Sequence, residues 1–181
     1  MSNDTSGSSP YEPLHRRELI KDLDGYLDSP DTITVVVRGH VSIEAAMNDA
    51  IRAKMQNQEA FDKLKLKFGN LVHLASAVGV IGSRWADALF QLDSLRNYIA
   101  HEVGAVVSHE RIVRLWESLP VRFRDNDPQD DAGRLRKCIA ILFLLFHARE
   151  ASIVDAENDR KAAAVVESVL AGGADDDAKS E

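Results

Sequence analysis

The stretch Thr32-Ile33-Thr34-Val35-Val36-Val37 decides how this chain folds. All six residues are β-branched, a class enriched in strands because the branched side chain suits a pleated surface. Read as a strand, the stretch would need neighbours to take up its backbone N–H and C=O groups. No other run in the 181 residues alternates apolar and polar with period two. The stretch therefore reads as the opening of a helix from about Thr32 to Met55, and the fold as all-α.

Working outward, helical spacing recurs on both sides. Leu14, Leu19, Ile20, Leu23 and Leu27 form one amphipathic stripe, closed by the breaker Asp28-Ser29-Pro30-Asp31. Downstream, a short piece from Phe61 to Phe68 leads into a third helix near Leu71 to Val78, which Gly79 and Gly82 punctuate. Ser83 is a fair N-cap for a fourth helix with Trp85, Leu89, Leu92, Leu95 and Ile99 at core spacing, ending near Glu102 before Gly104. A fifth starts at Ser108, carries Ile112, Leu115, Trp116 and Leu119, and stops at Pro120. After a charged loop, Arg124 to Asp131, the last helix runs from about Ala132 to at least Asp155, and to Leu170 at its longest. The expectation is one domain of about five or six helices over residues 11–170. No period of 20 to 50 residues repeats, which excludes a solenoid.

Residues 1–10 are Ser-rich, and residues 171–181 carry Gly172-Gly173 followed by Asp175-Asp176-Asp177. Both ends are expected to be disordered. No basic segment followed by an apolar one opens the chain, so no secretory signal is expected. The longest apolar run, Cys138 to Phe146, is far short of the roughly 20 residues that span a bilayer. It reads as a helix buried on all sides or partly in a subunit interface. Cys138 is the lone cysteine; it reads as a small buried hydrophobe, and a reducing cytoplasm fits.

The net charge is -7. The acidic tail carries -3 of it and Asp4 another -1, leaving -3 over residues 11–170. Such a balance argues against direct binding of duplex DNA. The histidines outside the 95–102 region show no metal-ligand spacing, and no Gly-rich phosphate loop or nucleophile elbow is present. Neither a metal nor a cofactor is expected. The segment Arg111, Arg114, Trp116, Arg122, Phe123, Arg124 has the composition of a single-strand stacking surface, but it reads more readily as a packed Trp flanked by solvated arginines.

Chemistry concentrates in Leu95-Arg96-Asn97-Tyr98-Ile99-Ala100-His101-Glu102. Arginine forks onto phosphate oxygens and histidine transfers protons near neutral pH. Five residues apart on a regular helix, however, Arg96 and His101 point about 140° away from each other. One phosphate would meet both only if the last turn loosened or a second copy of the helix completed the site. Asn97 and His101, four apart, share a face, so Asn97 would orient the imidazole or a phosphate. Glu44 shares a helical stripe with Val37, Val41, Ile51 and Met55. A carboxylate amid apolar neighbours needs a partner, for which Arg38, His40 and Arg96 qualify. Glu44 then reads either as an acid that orients Arg96 or His101 or, more readily, as a structural ion pair or an edge residue reaching water.

The run Ala88-Leu89-Phe90-Gln91-Leu92-Asp93-Ser94-Leu95-Arg96-Asn97-Tyr98-Ile99-Ala100-His101 resembles the signature helix of HEPN domains, in which an Arg followed by a polar residue precedes a His by four to six positions. Leu64-Lys65-Leu66, Ala77-Val78-Gly79-Val80-Ile81 with Trp85 and Ala88-Leu89, and Arg38-Gly39-His40-Val41-Ser42-Ile43-Glu44 are similar to the mannitol repressor-like branch of helical proteins. The HEPN resemblance implies a helical bundle that dimerises and brings two Arg/His motifs into one cleft. Active members are metal-independent ribonucleases, many of them toxins or phage-defence effectors. Carried over, Arg96 would stabilise the pentacoordinate phosphorane. His101 would act as general base or acid on the 2′-hydroxyl, leaving a 2′,3′-cyclic phosphate. Asn97, Glu44, Tyr98 and Glu102 would support them. In toxins silenced by a nucleotidyltransferase antitoxin the motif often continues to a modified tyrosine two residues past the histidine. That position is Val103 here, which argues against silencing by that route.

Three functions follow as expectations. The first is a cytoplasmic, homodimeric endoribonuclease acting on RNA, held in check by an antitoxin or other regulatory protein. The second is a non-catalytic helical regulator, as the mannitol repressor likeness implies, acting by protein–protein binding. The third is the immunity partner of a toxin, which the acidic tail would suit.

Overall fold

A computed structural model of the protein describes Gly25 and residues 27–147. The stripe from Leu14 to Leu23, both tails and the extension of the last helix beyond His147 lie outside the described residues. Among the described residues every element is helical, and none is a strand. The helices are α1 (Thr32–Arg52), α2 (Gln58–Asp62), α3 (Phe68–Ala77), α4 (Ala86–His101), α5 (His109–Ser118) and α6 (Asp131–His147), with 3-10 turns at Ser83–Trp85 and Val121–Phe123. None of them is long and apolar enough to cross a membrane.

The β-branched stretch is helical because its start is capped. The Asp31 carboxylate accepts from the Ile33 and Thr34 N–H groups, both at 3.1 Å, and from the Thr34 hydroxyl at 2.5 Å. Two otherwise orphaned donors of the first turn are thereby satisfied. The Thr34 hydroxyl, aided by those N–H groups, holds the Asp31 carboxyl below its ordinary value. Val35, Val36, Ile43, Met47 and Ile51 then supply a buried face that outweighs the modest helix penalty of branching.

Other boundaries follow local chemistry. α3 begins at Phe68, three residues before the expected Leu71, because Phe68 is itself part of the core. It ends in a Schellman turn, with Gly79 at φ +69 and the Val80 N–H donating to the Ala75 carbonyl at 2.7 Å. Ser83 does not cap α4: it opens the 3-10 turn, makes no capping hydrogen bond, and α4 follows from Ala86. That turn tucks Trp85 into the core, its ring centroid 5.0 Å from that of Phe123. Ser108 does precede α5, although its side chain makes no capping bond, and Leu119 ends the helix before Pro120. α6 starts at Asp131, and Asp130 caps it by accepting from the Gly133 N–H at 2.7 Å.

α1 is the hub, packing along α6 and against α3 and α4, while α5 fills the space beside α4 and α6. Every residue from Cys138 to Phe146 is buried within the single chain. Burial holds the Cys138 thiol far above its ordinary value, so it is an unreactive core group. At the α1–α6 crossing Gly39 lets the backbones approach: a Cβ there would lie 2.6 Å from Cγ2 of Ile139.

Candidate functional site

α4 carries the Arg96–His101 pair, and it is α-helical through its last turn. The Glu102 N–H donates to the Tyr98 carbonyl at 3.0 Å, and Glu102 itself turns to extended backbone at φ -103, ψ 118. The last turn does not loosen, so within one chain Arg96 and His101 project from different flanks of the helix. His101 is exposed at its C-terminal end, and Glu102 beside it is exposed too.

Arg96 and Asn97 are half-buried, and Nη1 of Arg96 donates to Oδ1 of Asn97 at 3.1 Å. No carboxylate lies within ion-pair distance of Arg96 among the described residues. Asn97 is thus committed to the guanidinium rather than to His101. Tyr98 is also half-buried, its ring covered by the Arg111 guanidinium 3.8 Å from the centroid, which braces α4 against α5.

Glu44 is less enclosed than its stripe with Val37 and Val41 suggests. The buried face of α1 is Val36, Gly39, His40, Ile43 and Met47, while Val37 and Val41 are exposed. Glu44 therefore stands at the edge of that face, with a third of its side chain in solvent. Of its three expected partners, His40 is the one it approaches, Oε2 lying 3.8 Å from Nδ1. That separation is an electrostatic contact rather than a hydrogen bond. It makes no hydrogen bond to Arg96 or His101, so an orienting role for either finds no contact here.

His40, which the sequence offers only as a partner for Glu44, is the single buried polar side chain among the described residues, 3% exposed. Its Nε2 lies 3.1 Å from Oδ1 of Asp93 on α4, and its ring stacks on Phe68 of α3 with centroids 4.2 Å apart. A carboxylate only accepts, so Nε2 carries the proton. Burial is the largest influence on His40 and pushes its pKa down; Asp93 and Glu44 oppose this, and the Arg96 charge reinforces it. The Arg96 guanidinium therefore lies within electrostatic reach of this buried pair. Asp93, Arg96 and Asn97 are three and four residues apart, hence on one face of α4. A legible signal existed: His40 is four residues after Val36 and three before Ile43, on the core stripe of α1.

The basic-aromatic segment does not form a stacking surface. Trp116 and Phe123 are buried, and cations already cover their rings: Lys137 at 5.4 Å and Arg122 at 4.9 Å from the centroids. Arg114 pairs with Glu110. A cleft of about 520 Å³ opens nearby, lined by His109, Val113, Trp116, Arg124, Asp127 and Arg134. Several of its charges are engaged, Arg134 donating to both Asp127 oxygens at 2.7 and 3.0 Å and Nδ1 of His109 lying 2.7 Å from Asp131. Nε of Arg124, by contrast, is buried with no hydrogen-bond partner among the described residues. Among the described residues no three His, Cys, Asp or Glu side chains cluster as metal ligands do. Comparison with family models finds none that matches this chain, and no curated protein and no solved structure is significantly similar to it.

Proposed function

We propose that the protein is a metal-independent endoribonuclease of HEPN type, in which two copies of α4 face one another and Arg96 of one chain works with His101 of the other. One observation carries this reading: Arg96 is half-exposed and unclaimed by any described carboxylate, on the same regular helix that ends in an exposed His101. A guanidinium held by a neutral amide keeps its charge for a phosphate. An exposed imidazole at a helix end is free to shuttle a proton. Arg96 would stabilise the charge that builds on the phosphorane oxygens. His101 would take the 2′-hydroxyl proton, or return one to the leaving 5′-oxygen, giving a 2′,3′-cyclic phosphate. Asn97 supports the reaction by fixing Arg96, and Tyr98 by bracing the helix.

Homodimerisation, an RNA substrate, a toxin or defence role and an antitoxin partner all belong to this proposal. A second reading, a mannitol repressor-like regulator that binds other proteins, is favoured by the divergence of Arg96 and His101 within one chain and by the exposed Val37 and Val41 on α1.

The test is incubation of total cellular RNA with purified protein in EDTA, wild type beside His101→Ala. The nuclease reading predicts cleavage that survives chelation, leaves cyclic phosphate ends and disappears in the variant. Intact RNA with both proteins would instead support the regulator, and equal cleavage by both would remove His101 from the chemistry.

A further inference from the structure

Asp93 precedes Arg96 by three residues, the spacing at which an aspartate and an arginine on one helix form an ion pair. Yet Arg96 bonds to Asn97, while Asp93 is held by His40 from α1 at 3.1 Å. We infer that His40 is a positioning residue whose hydrogen bond sequesters Asp93 and so keeps the Arg96 guanidinium free for an anion. The inference rests on the reading of Arg96 as the phosphate-binding group, and adds the device that keeps it available.

The geometry supports a guarding role over a merely structural one. A core of this size does not need a histidine for cohesion; the surrounding residues of the α1 face are Val36, Ile43 and Met47. An apolar side chain at this position would still face the Phe68 ring. It would also leave Asp93, whose side chain is a quarter exposed, with no donor from α1. A cation spaced to replace that donor is Arg96, one turn further along α4. Once paired, Arg96 would offer a phosphate a neutralised fork. Glu44 is the other carboxylate near His40, and at 3.8 Å from Nδ1 it lies outside hydrogen-bond range. Asp93 is therefore the group that His40 controls.

The experiment reads Arg96 directly. The full-length protein and its variants are treated with phenylglyoxal, which modifies free guanidinium groups, and the rate at Arg96 is followed by peptide mass mapping. In His40→Leu the rate at Arg96 falls about twofold to fivefold, the range expected for capture by an ion pair of this kind. His40→Gln, which keeps an N–H donor, restores the rate. So does the double variant His40→Leu/Asp93→Asn, which has no carboxylate left to capture Arg96. Asp93→Asn alone reacts like wild type. A faster rate at Arg96 in this variant would overturn the inference by showing that Asp93 already captures the guanidinium, a result that does not depend on His40→Leu folding. Equal rates in wild type and folded His40→Leu would overturn the inference, as would a slow double variant, because a structural defect is not repaired by removing a charge. If the rates follow the predicted order while wild type neither binds nor cuts RNA, the guarding of Arg96 stands and the ribonuclease reading falls.

Discussion

Gly39 and His40 are neighbours on α1, and they meet opposite kinds of surface. Gly39 faces Ile139 on α6 so closely that even a methyl group has no room. His40 faces Asp93 on α4 and Phe68 on α3, with Glu44 and Arg96 around it. One side of the helix is dry and close-packed, the other polar and specific. The contrast teaches that α1 does two jobs at once. Its α6 contact supplies cohesion, and its α4 contact sets the electrostatics of the helix that carries the candidate chemistry.

If that division is right, the dry side should be the costlier to disturb. Leu142 on α6 is fully buried, and Leu142→Ala should lose about 2–5 kcal/mol of unfolding free energy in a urea titration. A loss well under that range would mean that α6 is less central than its burial suggests. Gly39→Ala should cost about 1–3 kcal/mol, because overpacking against Ile139 outweighs the gain in helix propensity. The cost should shrink when Ile139→Ala is added. A double-mutant cycle with no coupling would show that the two residues do not meet.

On the polar side the effect is smaller and depends on pH. Burial holds His40 below its ordinary value of 6.5, so the folded protein favours the neutral ring. Below about 6.5 the unfolded chain takes up this proton more readily than the native state does. The His40 contribution is therefore present above that pH and is lost as pH falls towards the folded-state pKa. Between neutrality and pH 5, wild type should lose stability that His40→Gln retains, as read from melting temperatures across that window. Parallel curves for the two proteins would place the proton uptake elsewhere.

How much of this was legible in the sequence differs between the two sides. That Thr32–Val37 is helical could be read from the absence of any partner strand, and the Asp31 cap explains it locally. The long apolar run Cys138–Phe146 announced a buried helix, and it is one. The rotational register of α1 was harder. Aligning Val37 and Val41 with Glu44 put a solvent-facing edge into the core, because a stripe of valines looks the same whether it faces a neighbour or water. His40 and Asp93 are separated by 53 residues, and no local pattern links them. Their pairing is a consequence of how α1 crosses α4. α3 starts before the point its sequence suggests because Gly69 and Asn70, weak helix formers, are overridden by the burial of Phe68 and Leu71.

The central claim is that Arg96 and His101, which diverge on one regular helix, act together from two chains. Mixing inactive Arg96→Ala with inactive His101→Ala protein tests this most directly, with RNA cleavage as the readout. In a shared two-fold cleft the mixed dimer holds one site with both groups intact, so mixing should restore about a quarter of wild-type cleavage. If each variant is inactive, the wild type cleaves, and the mixture stays inactive after subunit exchange, the two groups do not work across chains and the account is contradicted.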